Sequence, residues 1–195
     1  MFDGLYVFEE FYENPDEVRD YALTLDFNVK GNYPGLRTDV SSEEHHSYLR
    51  KFFEDRIIKQ NINFWPDEYN TSFQYTTEKD KTWIHHDETE WAGILYLTPG
   101  APVESGTSFY KHKDTGVYLW NGPEDENLQD CDNVDDWEEV AYIGNLYNRL
   151  VVYKGGYYHR SKLAGFGTDK HSGRLFQTFF FNTSNVNMRG FEEEK

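Results

Sequence analysis

Cysteine is almost absent from this sequence: Cys131 is the only one among 195 residues. Because one cysteine cannot form an internal disulfide, the fold is expected to be stable without cross-links, and a reducing compartment is permitted. Long apolar runs are missing as well. No stretch reaches the ~20 apolar residues of a membrane-spanning helix, and Met1-Phe2-Asp3-Gly4 lacks the basic and apolar segments of a signal peptide. We therefore expect a cytoplasmic protein that has no membrane partner.

Positive charge is scarce too. The 19 lysines and arginines are outnumbered by 35 aspartates and glutamates, which gives a net charge of −16. Affinity for nucleic acid depends largely on lysine and arginine contacts to phosphates, so the composition argues against a nucleic-acid partner. The acidic balance is typical of a soluble, self-repelling surface.

Aromatic residues, in contrast, are abundant. Phe, Tyr and Trp make up 18% of the chain, and aromatic and β-branched residues between turn residues favour a mainly β fold with antiparallel strands. The length predicts a single domain, 1–195, with a sizeable core. Within it, residues 1–69 are expected to supply a strand and helices that pack on a core formed by 70–182, with an acidic insertion at about 112–140.

Two helices are predicted before the core. Asn14-Pro15-Asp16-Glu17 has the capping residue, the proline and the acids of a helix start. The apolar stripe of this first helix is predicted to consist of Val18, Tyr21, Ala22 and Leu25. Ser41 or Ser42 begins a second helix. Its apolar stripe is predicted to consist of Tyr48, Phe52 and Ile57. The helices should extend over Asp16 to Asp26 and Ser42 to Lys59.

Segments of strand composition follow the helices, and Leu5 to Phe8 adds a short strand near the start. The later strands are predicted at residues 71–77, 91–97, 107–110, 148–153 and 173–181. The acidic, turn-rich stretch from Asp114 to Glu139 predicts a solvated insertion, with a short helical turn at Asp135 to Ala141. Its carboxylates leave calcium binding open as an alternative, although the Gly and the terminal Glu of an EF-hand loop are missing.

A histidine and a carboxylate stand two residues apart just before the strand at 91–97. Alternate side chains of an extended chain share a face, so His85 and Asp87 should point the same way and His86 the other way. An imidazole and a carboxylate suit a divalent transition metal. A second histidine would complete the 2-His-1-carboxylate triad that leaves three coordination positions open.

Two further polar residues belong to predicted strands. His159 lies on or just beyond a strand that follows a Gly-Gly turn, and Arg174 lies within the last strand. Arg174 shares a strand face with Phe176, Thr178 and Phe180. A cation in such apolar surroundings needs an anion nearby or a path to water.

A strand-borne His-His-Asp, a later His and a terminal strand with an arginine together resemble the Fe(II)- and 2-oxoglutarate-dependent dioxygenases. The similarity covers roughly Thr71 to Phe181 and is greatest to the prolyl-hydroxylase-like branch. The runs with counterparts in that branch are Gly93-Ile94-Leu95-Tyr96-Leu97-Thr98, Glu104-Ser105-Gly106-Thr107 and Gly173-Arg174-Leu175. Asn14 to Arg19 and Tyr33-Pro34-Gly35-Leu36-Arg37 also resemble segments of a small set of such proteins from phages and bacteria.

The resemblance implies a double-stranded β-helix, a cupin-like jelly roll, with flanking N-terminal helices. It makes His85, Asp87 and His159 the Fe(II) ligands and the catalytic centre. It also gives Arg174 the role of pairing with the distal carboxylate of 2-oxoglutarate, a match to guanidinium chemistry. Tyr75 would add a phenol and Thr178 a hydroxyl to the same co-substrate.

The implied activity is hydroxylation of an unidentified small molecule or protein with O2, with release of succinate and CO2 and with ascorbate as a stimulant. Asp87 favours hydroxylation over halogenation, because related halogenases have a small residue in its place. A viral protein of this type would act in the host cytoplasm. Two alternatives are open: a non-catalytic jelly-roll binding or virion-associated protein, and a cupin-type metal enzyme with His112 as a ligand and no need for 2-oxoglutarate.

Overall fold

The secondary structure is mainly β. The computed structural model describes residues 3–39, 43–65, 70–120, 122, 128, 133–163 and 165–183. Its helices are α1 (Pro15–Thr24) and α2 (Glu43–Phe52), and α2 continues into a π-helix at Phe53–Ile58. Its strands are β1 (Leu5–Phe8), β2 (Leu36–Arg37), β3 (Ile62–Phe64), β4 (Phe73–Thr76), β5 (Trp91–Tyr96), β6 (Thr107–His112), β7 (Trp137–Ile143), β8 (Leu150–Lys154), β9 (His159–Ser161) and β10 (Arg174–Thr183).

The described strands form two sheets, in which every pairing is antiparallel. The major sheet has the order β1-β8-β5-β10-β4-β2, and β3 pairs with β10 beside this path. The minor sheet has the order β7-β6-β9. The prediction of a mainly β, antiparallel fold is therefore confirmed.

Strand β10 shows how the two faces of the major sheet are used. Phe179 and Phe181 pack on one face, in a core that also contains Leu49 of α2. Phe176 packs on the other face with Phe109 of the minor sheet. Because neighbouring residues of a strand point to opposite faces, one strand serves both layers. The helices thus cover the outer face of the major sheet, and the minor sheet covers the inner face.

Helix α1 agrees with its prediction in position but not in every detail. Ala22 is buried, and Val18 and Leu25 are partly buried against the same core, but Tyr21 is half exposed. Asn14 precedes the helix without a side-chain capping bond. The proline and the acids of the first turn therefore predicted the helix start correctly, and the capping role of Asn14 did not appear. No helix in the described ranges is both long and apolar enough to cross a membrane.

Helix α2 exposes one residue that was predicted to be buried. Tyr48 is 60% exposed, whereas Leu49 and Phe53 are fully buried. Leu49 and Phe53 are four residues apart and so share a helix face, which is displaced by one residue from the predicted Tyr48 and Phe52. The predicted start at Ser41 or Ser42 lies outside the described residues.

The acidic segment contains a strand that the sequence analysis missed. Residues 137–143 form β7, and the short helical turn is confined to Val134–Asp136 instead of extending to Ala141. A register shift between Phe109 and Tyr110 of β6 interrupts the pairing with β7, so the burial of β7 does not alternate regularly. Asp130 and Asp132, two of the carboxylates considered for calcium, lie outside the described residues.

The corrected face of α2 gives a stability prediction. Phe53 lies within 5.1 Å of the Phe179 ring and 5.0 Å of the Phe181 ring, measured between centroids. We expect Phe53→Ala to lower the free energy of unfolding by about 3–5 kcal/mol, because it leaves a cavity in the core. Tyr48→Ala, from the exposed side of α2, should change it by less than about 0.5 kcal/mol. Urea denaturation of both variants measures the difference, and equal losses would contradict this orientation of the helix.

Candidate metal centre and its cavity

Three side chains with metal-binding atoms meet where the segment before β5 contacts β9. The His85 backbone N–H donates to the His159 carbonyl at 3.1 Å, and the His159 N–H donates to the His85 carbonyl at 2.8 Å. One ligand atom each from His85, Asp87 and His159 lies within 4.8 Å of the others. In the part of the chain that the structure describes, no other three histidine, cysteine or acidic side chains form such a group.

Backbone carbonyl oxygens orient both histidine rings of this group. The Nδ1 atom of His85 lies 3.0 Å from the Trp83 carbonyl oxygen, and Nδ1 of His159 lies 2.8 Å from that of Tyr157. A carbonyl oxygen only accepts, so each Nδ1 carries a hydrogen, and in a neutral ring the lone pair is then on Nε2. Backbone carbonyls commonly orient metal-binding imidazoles in this way.

The electrostatics of the group also fit a cation. Burial lowers the pKa of His159 well below its ordinary value, and His85 lowers it further. Burial raises the pKa of Asp87, while His85, His86 and Arg37 act in the opposite direction. The 3.5 Å contact between His159 Nε2 and Asp87 Oδ2 is therefore one between a neutral imidazole and a carboxyl group. Two neutral imidazoles and one carboxylate could hold a divalent transition metal.

A glycine makes this close packing possible. The Asp87 N–H donates to the Gly155 carbonyl at 2.8 Å, which ties the metal-binding segment to the turn after β8. A Cβ atom on Gly155 would lie only 2.2 Å from the Thr89 carbonyl oxygen. Any larger residue would therefore push Thr89 and the segment before it away from the turn after β8.

A cavity of about 530 Å³ opens beside the three ligands. Its volume lies within the range of small-molecule sites. Its inner walls come mainly from the major sheet and include Ile94, Tyr153, Phe176, Thr178 and Phe180. The candidate metal ligands and this cavity are thus parts of one site.

Arg174 lies in this cavity and is 1% exposed. Its Nε donates to the Ser105 carbonyl at 2.7 Å, and its guanidinium carbon lies 4.5 Å from the centroid of the Phe176 ring. Its Nη2 atom is buried and has no hydrogen-bond partner among the residues that the structure describes. Burial lowers the pKa of Arg174, and the Tyr96 phenol opposes this. A buried cation with an unsatisfied donor lowers stability unless an anion is nearby, so this site favours an anionic ligand.

The two residues predicted to assist Arg174 lie on different faces. Thr178 lines the cavity. Tyr75 does not: it pairs with Leu175, on the face opposite Arg174, and its ring packs edge-on against Phe27 at 5.1 Å. The prediction that Tyr75 binds 2-oxoglutarate is therefore wrong, because strand alternation directs its side chain into the core on the helix side of the sheet.

The other histidines of the motif region have structural contacts. The His86 ring stacks on Trp120 at 4.8 Å and meets the Tyr158 ring edge-on at 5.5 Å, so it does not join the ligand group. His112 packs against Trp137 and has Nδ1 3.1 Å from the Thr115 hydroxyl. It does not line the cavity. The cupin-type alternative therefore loses the extra ligand on which it depended.

Arg37 lines the cavity as well, although its sequence context did not predict it as a site residue. Arg37 pairs with Gln74 of β4, and Gln74 pairs with Phe176 of β10. All three side chains line the cavity. Strand β2 has only two residues, too few for a period-two pattern, so the only available signal was the resemblance of the segment that precedes and includes Arg37.

Comparisons with other proteins agree with this architecture. The model of a family of unknown function (DUF6445) matches residues 3–133. Among curated proteins, none is detectably similar to the chain in sequence.

Several solved structures have the same fold. HygX from Streptomyces hygroscopicus, with nickel and 2-oxoglutarate bound, gives a TM-score of 0.60 at 12% identity, over 96% of this chain and 85% of that chain. The Trichoplax adhaerens prolyl hydroxylase, in complex with a hypoxia inducible factor peptide fragment, gives 0.56 at 12% identity, over 91% and 83%. SnoN, a non-heme alpha ketoglutarate dependent epimerase from nogalamycin biosynthesis, gives 0.54 at 14% identity, over 92% and 77%. The predicted jelly-roll fold is thereby confirmed, and the resemblance to Fe(II)- and 2-oxoglutarate-dependent oxygenases is confirmed as a likeness of fold.

Proposed function

The chain belongs to the family of unknown function DUF6445, and we propose that it is an Fe(II)- and 2-oxoglutarate-dependent oxygenase. One observation carries the proposal. A single cavity contains both a 2-His-1-carboxylate group and a buried arginine whose Nη2 has no partner in the described part of the chain. A metal alone would explain the first feature. A metal-bound dicarboxylate explains both.

His85, Asp87 and His159 are the proposed iron ligands. The histidines would bind through Nε2, since each Nδ1 is already engaged with a carbonyl oxygen. Asp87 would supply the negative charge, and a cation beside it would offset the cost of burying that charge. When bound with 2-oxoglutarate and O2, Fe(II) supplies the oxidising chemistry that converts the co-substrate to succinate and CO2 and attacks a substrate C–H bond.

Arg174 is the proposed anchor of the distal carboxylate of 2-oxoglutarate. Its Nε bond to the Ser105 carbonyl fixes the plane of the guanidinium group before a ligand arrives. The remaining amino groups can then bind both oxygens of a carboxylate. Thr178 lines the same cavity four residues further along β10 and is the proposed source of a hydroxyl contact, and the Phe176 ring packs against the guanidinium group.

Hydroxylation is the proposed outcome, with O2 as second co-substrate and ascorbate keeping the iron reduced. The fold alone does not fix the reaction, because SnoN is described as an epimerase. The carboxylate ligand Asp87 favours hydroxylation over halogenation. The substrate is a small molecule or a protein side chain that reaches the cavity.

The test is 2-oxoglutarate turnover. Purified protein with Fe(II), ascorbate and 2-oxoglutarate in air should release succinate, and the same mixture under nitrogen should not. Untargeted mass spectrometry of an extract incubated with the complete mixture should reveal a compound that gains one oxygen atom. A product of unchanged mass with succinate release would indicate epimerisation instead. If iron is not bound and no succinate appears, the non-catalytic binding alternative is favoured.

A further inference from the structure

A second arginine reaches the cavity from the edge of the major sheet. Strands β10 and β2 flank β4, and they carry Arg174 and Arg37. Arg174 pairs with Thr76 of β4, and Arg37 pairs with Gln74 of the same strand. The two arginines are thus separated by two strand spacings across the sheet and by two residues along it, which places their Cα atoms about 12 Å apart. Arg37 therefore occupies a separate position in the same chamber.

Contacts inside the site hold Arg37 in one orientation. Its Nε donates to Gln74 Oε1 at 2.5 Å, and Gln74 in turn donates to the Pro34 carbonyl at 2.6 Å. The guanidinium carbon lies 3.7 Å from the centroid of the Tyr33 ring, and the residue is only 6% exposed. A side chain fixed in this way loses little conformational entropy when it binds a ligand.

The charged side chains that line the cavity are mainly basic. Among the described lining residues, Arg37, Arg160 and Arg174 are basic, and Asp87 and Glu88 are acidic. Fe(II) and the two carboxylates of 2-oxoglutarate would together add no net charge. The described lining residues thus keep a positive excess of one charge, in a chain whose net charge is −16. Such a local field favours an anionic substrate.

We propose that Arg37 binds an oxyanion of the substrate, a carboxylate or a phosphate group. This inference rests on the proposed function and adds the substrate class to it. The guanidinium fork matches both oxyanions. Tyr33, Trp65 and Trp83 also line the cavity, and the Trp83 ring centroid lies 6.2 Å from that of the ligand His85. These rings would contact an apolar or aromatic part of the substrate and lead it towards the metal.

Fractionation of an extract tests the proposal before the substrate is known. A protein-free cell extract is separated on an anion exchanger at neutral pH, and each fraction is added to the protein with Fe(II), ascorbate and labelled 2-oxoglutarate. The retained, anionic fraction should stimulate release of labelled succinate. Stimulation by the unretained fraction alone, or by neither fraction, would overturn the proposal. Phosphatase treatment of the retained fraction distinguishes the two oxyanions, because it removes the stimulation only if the group is a phosphate.

Variants then assign the effect to Arg37. In Arg37→Ala the KM for the stimulating fraction should rise about 30-fold or more, as for buried charge pairs that lose one partner. The dissociation constant of 2-oxoglutarate, measured with Mn(II) under nitrogen, should not change. Arg56→Ala, which removes an exposed cation outside the cavity, is the control for net charge. If Arg37→Ala fails to fold, Arg37→Lys replaces it as the test, because lysine keeps the charge but cannot bind two oxygens at once. An unchanged KM for the stimulating fraction would overturn the proposal.

Two failures can be told apart. If the wild-type protein binds 2-oxoglutarate but is stimulated equally by anionic and neutral fractions, this inference fails and the oxygenase function stands. If Arg37→Ala abolishes 2-oxoglutarate binding, Arg37 is the co-substrate anchor and its role as substrate anchor is refuted. A wild-type protein that binds no 2-oxoglutarate refutes the proposed function, and this inference with it.

Discussion

Asp87→Ala and His159→Ala are each expected to weaken metal binding by more than about 100-fold, since loss of an outer partner alone costs 10- to 100-fold. Each replacement leaves two of the three atoms that the fold brings within 4.8 Å of one another. Succinate release should fall below detection in both. Calorimetric titration with Mn(II) under nitrogen measures the affinity, and labelled 2-oxoglutarate measures the turnover.

The matched control is His112→Ala. His112 packs against Trp137 outside the cavity, so its removal should leave both metal affinity and turnover unchanged. A loss of metal affinity in His112→Ala would revive the cupin-type alternative, in which His112 is an additional ligand.

The stability of Asp87→Ala shows whether the variant loses metal affinity because a ligand is missing or because the protein no longer folds. Burial raises the pKa of Asp87, so its ionised form opposes folding when no metal is bound. A group with a raised pKa in the folded state costs stability as the pH rises above its unfolded value. At neutral pH the metal-free variant should therefore unfold at no lower urea concentration than the metal-free wild type. A clearly lower midpoint would mean that Asp87 supports the fold itself.

The local part of the site could be predicted from the sequence, and the non-local part could not. His85 and Asp87 share a face because they are two residues apart in extended chain, a rule that needs no tertiary information. The approach of His159 depends on the bridge between His85 and His159, which joins segments 74 positions apart. Nothing in the spacing specifies that pairing. It followed only from the resemblance to a known family.

Register explains the errors around Arg174. Tyr75 was selected by its distance along the chain from His85, but the pairing of Tyr75 with Leu175 gives it the opposite face from Arg174. A shift of one residue in a strand reverses every side chain, so sequence distance cannot decide such a role. Arg37 was not predicted because its strand has only two residues, and its place in the site follows only from its pairing with Gln74.

Arg174→Ala should raise the dissociation constant of 2-oxoglutarate by about 30- to 5,000-fold, because removal of one partner from a buried charge pair costs about 2–5 kcal/mol. The buried Nη2 atom has no partner among the described residues, so the arginine has a donor available for the carboxylate. Metal affinity should stay nearly intact, since Arg174 is not one of the three ligands. This pattern is the reverse of that expected for Asp87→Ala.

Two further variants define what Arg174 contributes. Arg174→Lys should recover only part of the loss, because an ammonium group carries the charge but cannot bind both carboxylate oxygens in a fork. Tyr75→Phe should bind 2-oxoglutarate as the wild type does, since its ring lies in the helix-side core against Phe27. Calorimetric titration of 2-oxoglutarate with Mn(II) under nitrogen measures all three variants. An unchanged dissociation constant in Arg174→Ala would remove this residue from the co-substrate site and leave its buried charge to be explained by the fold.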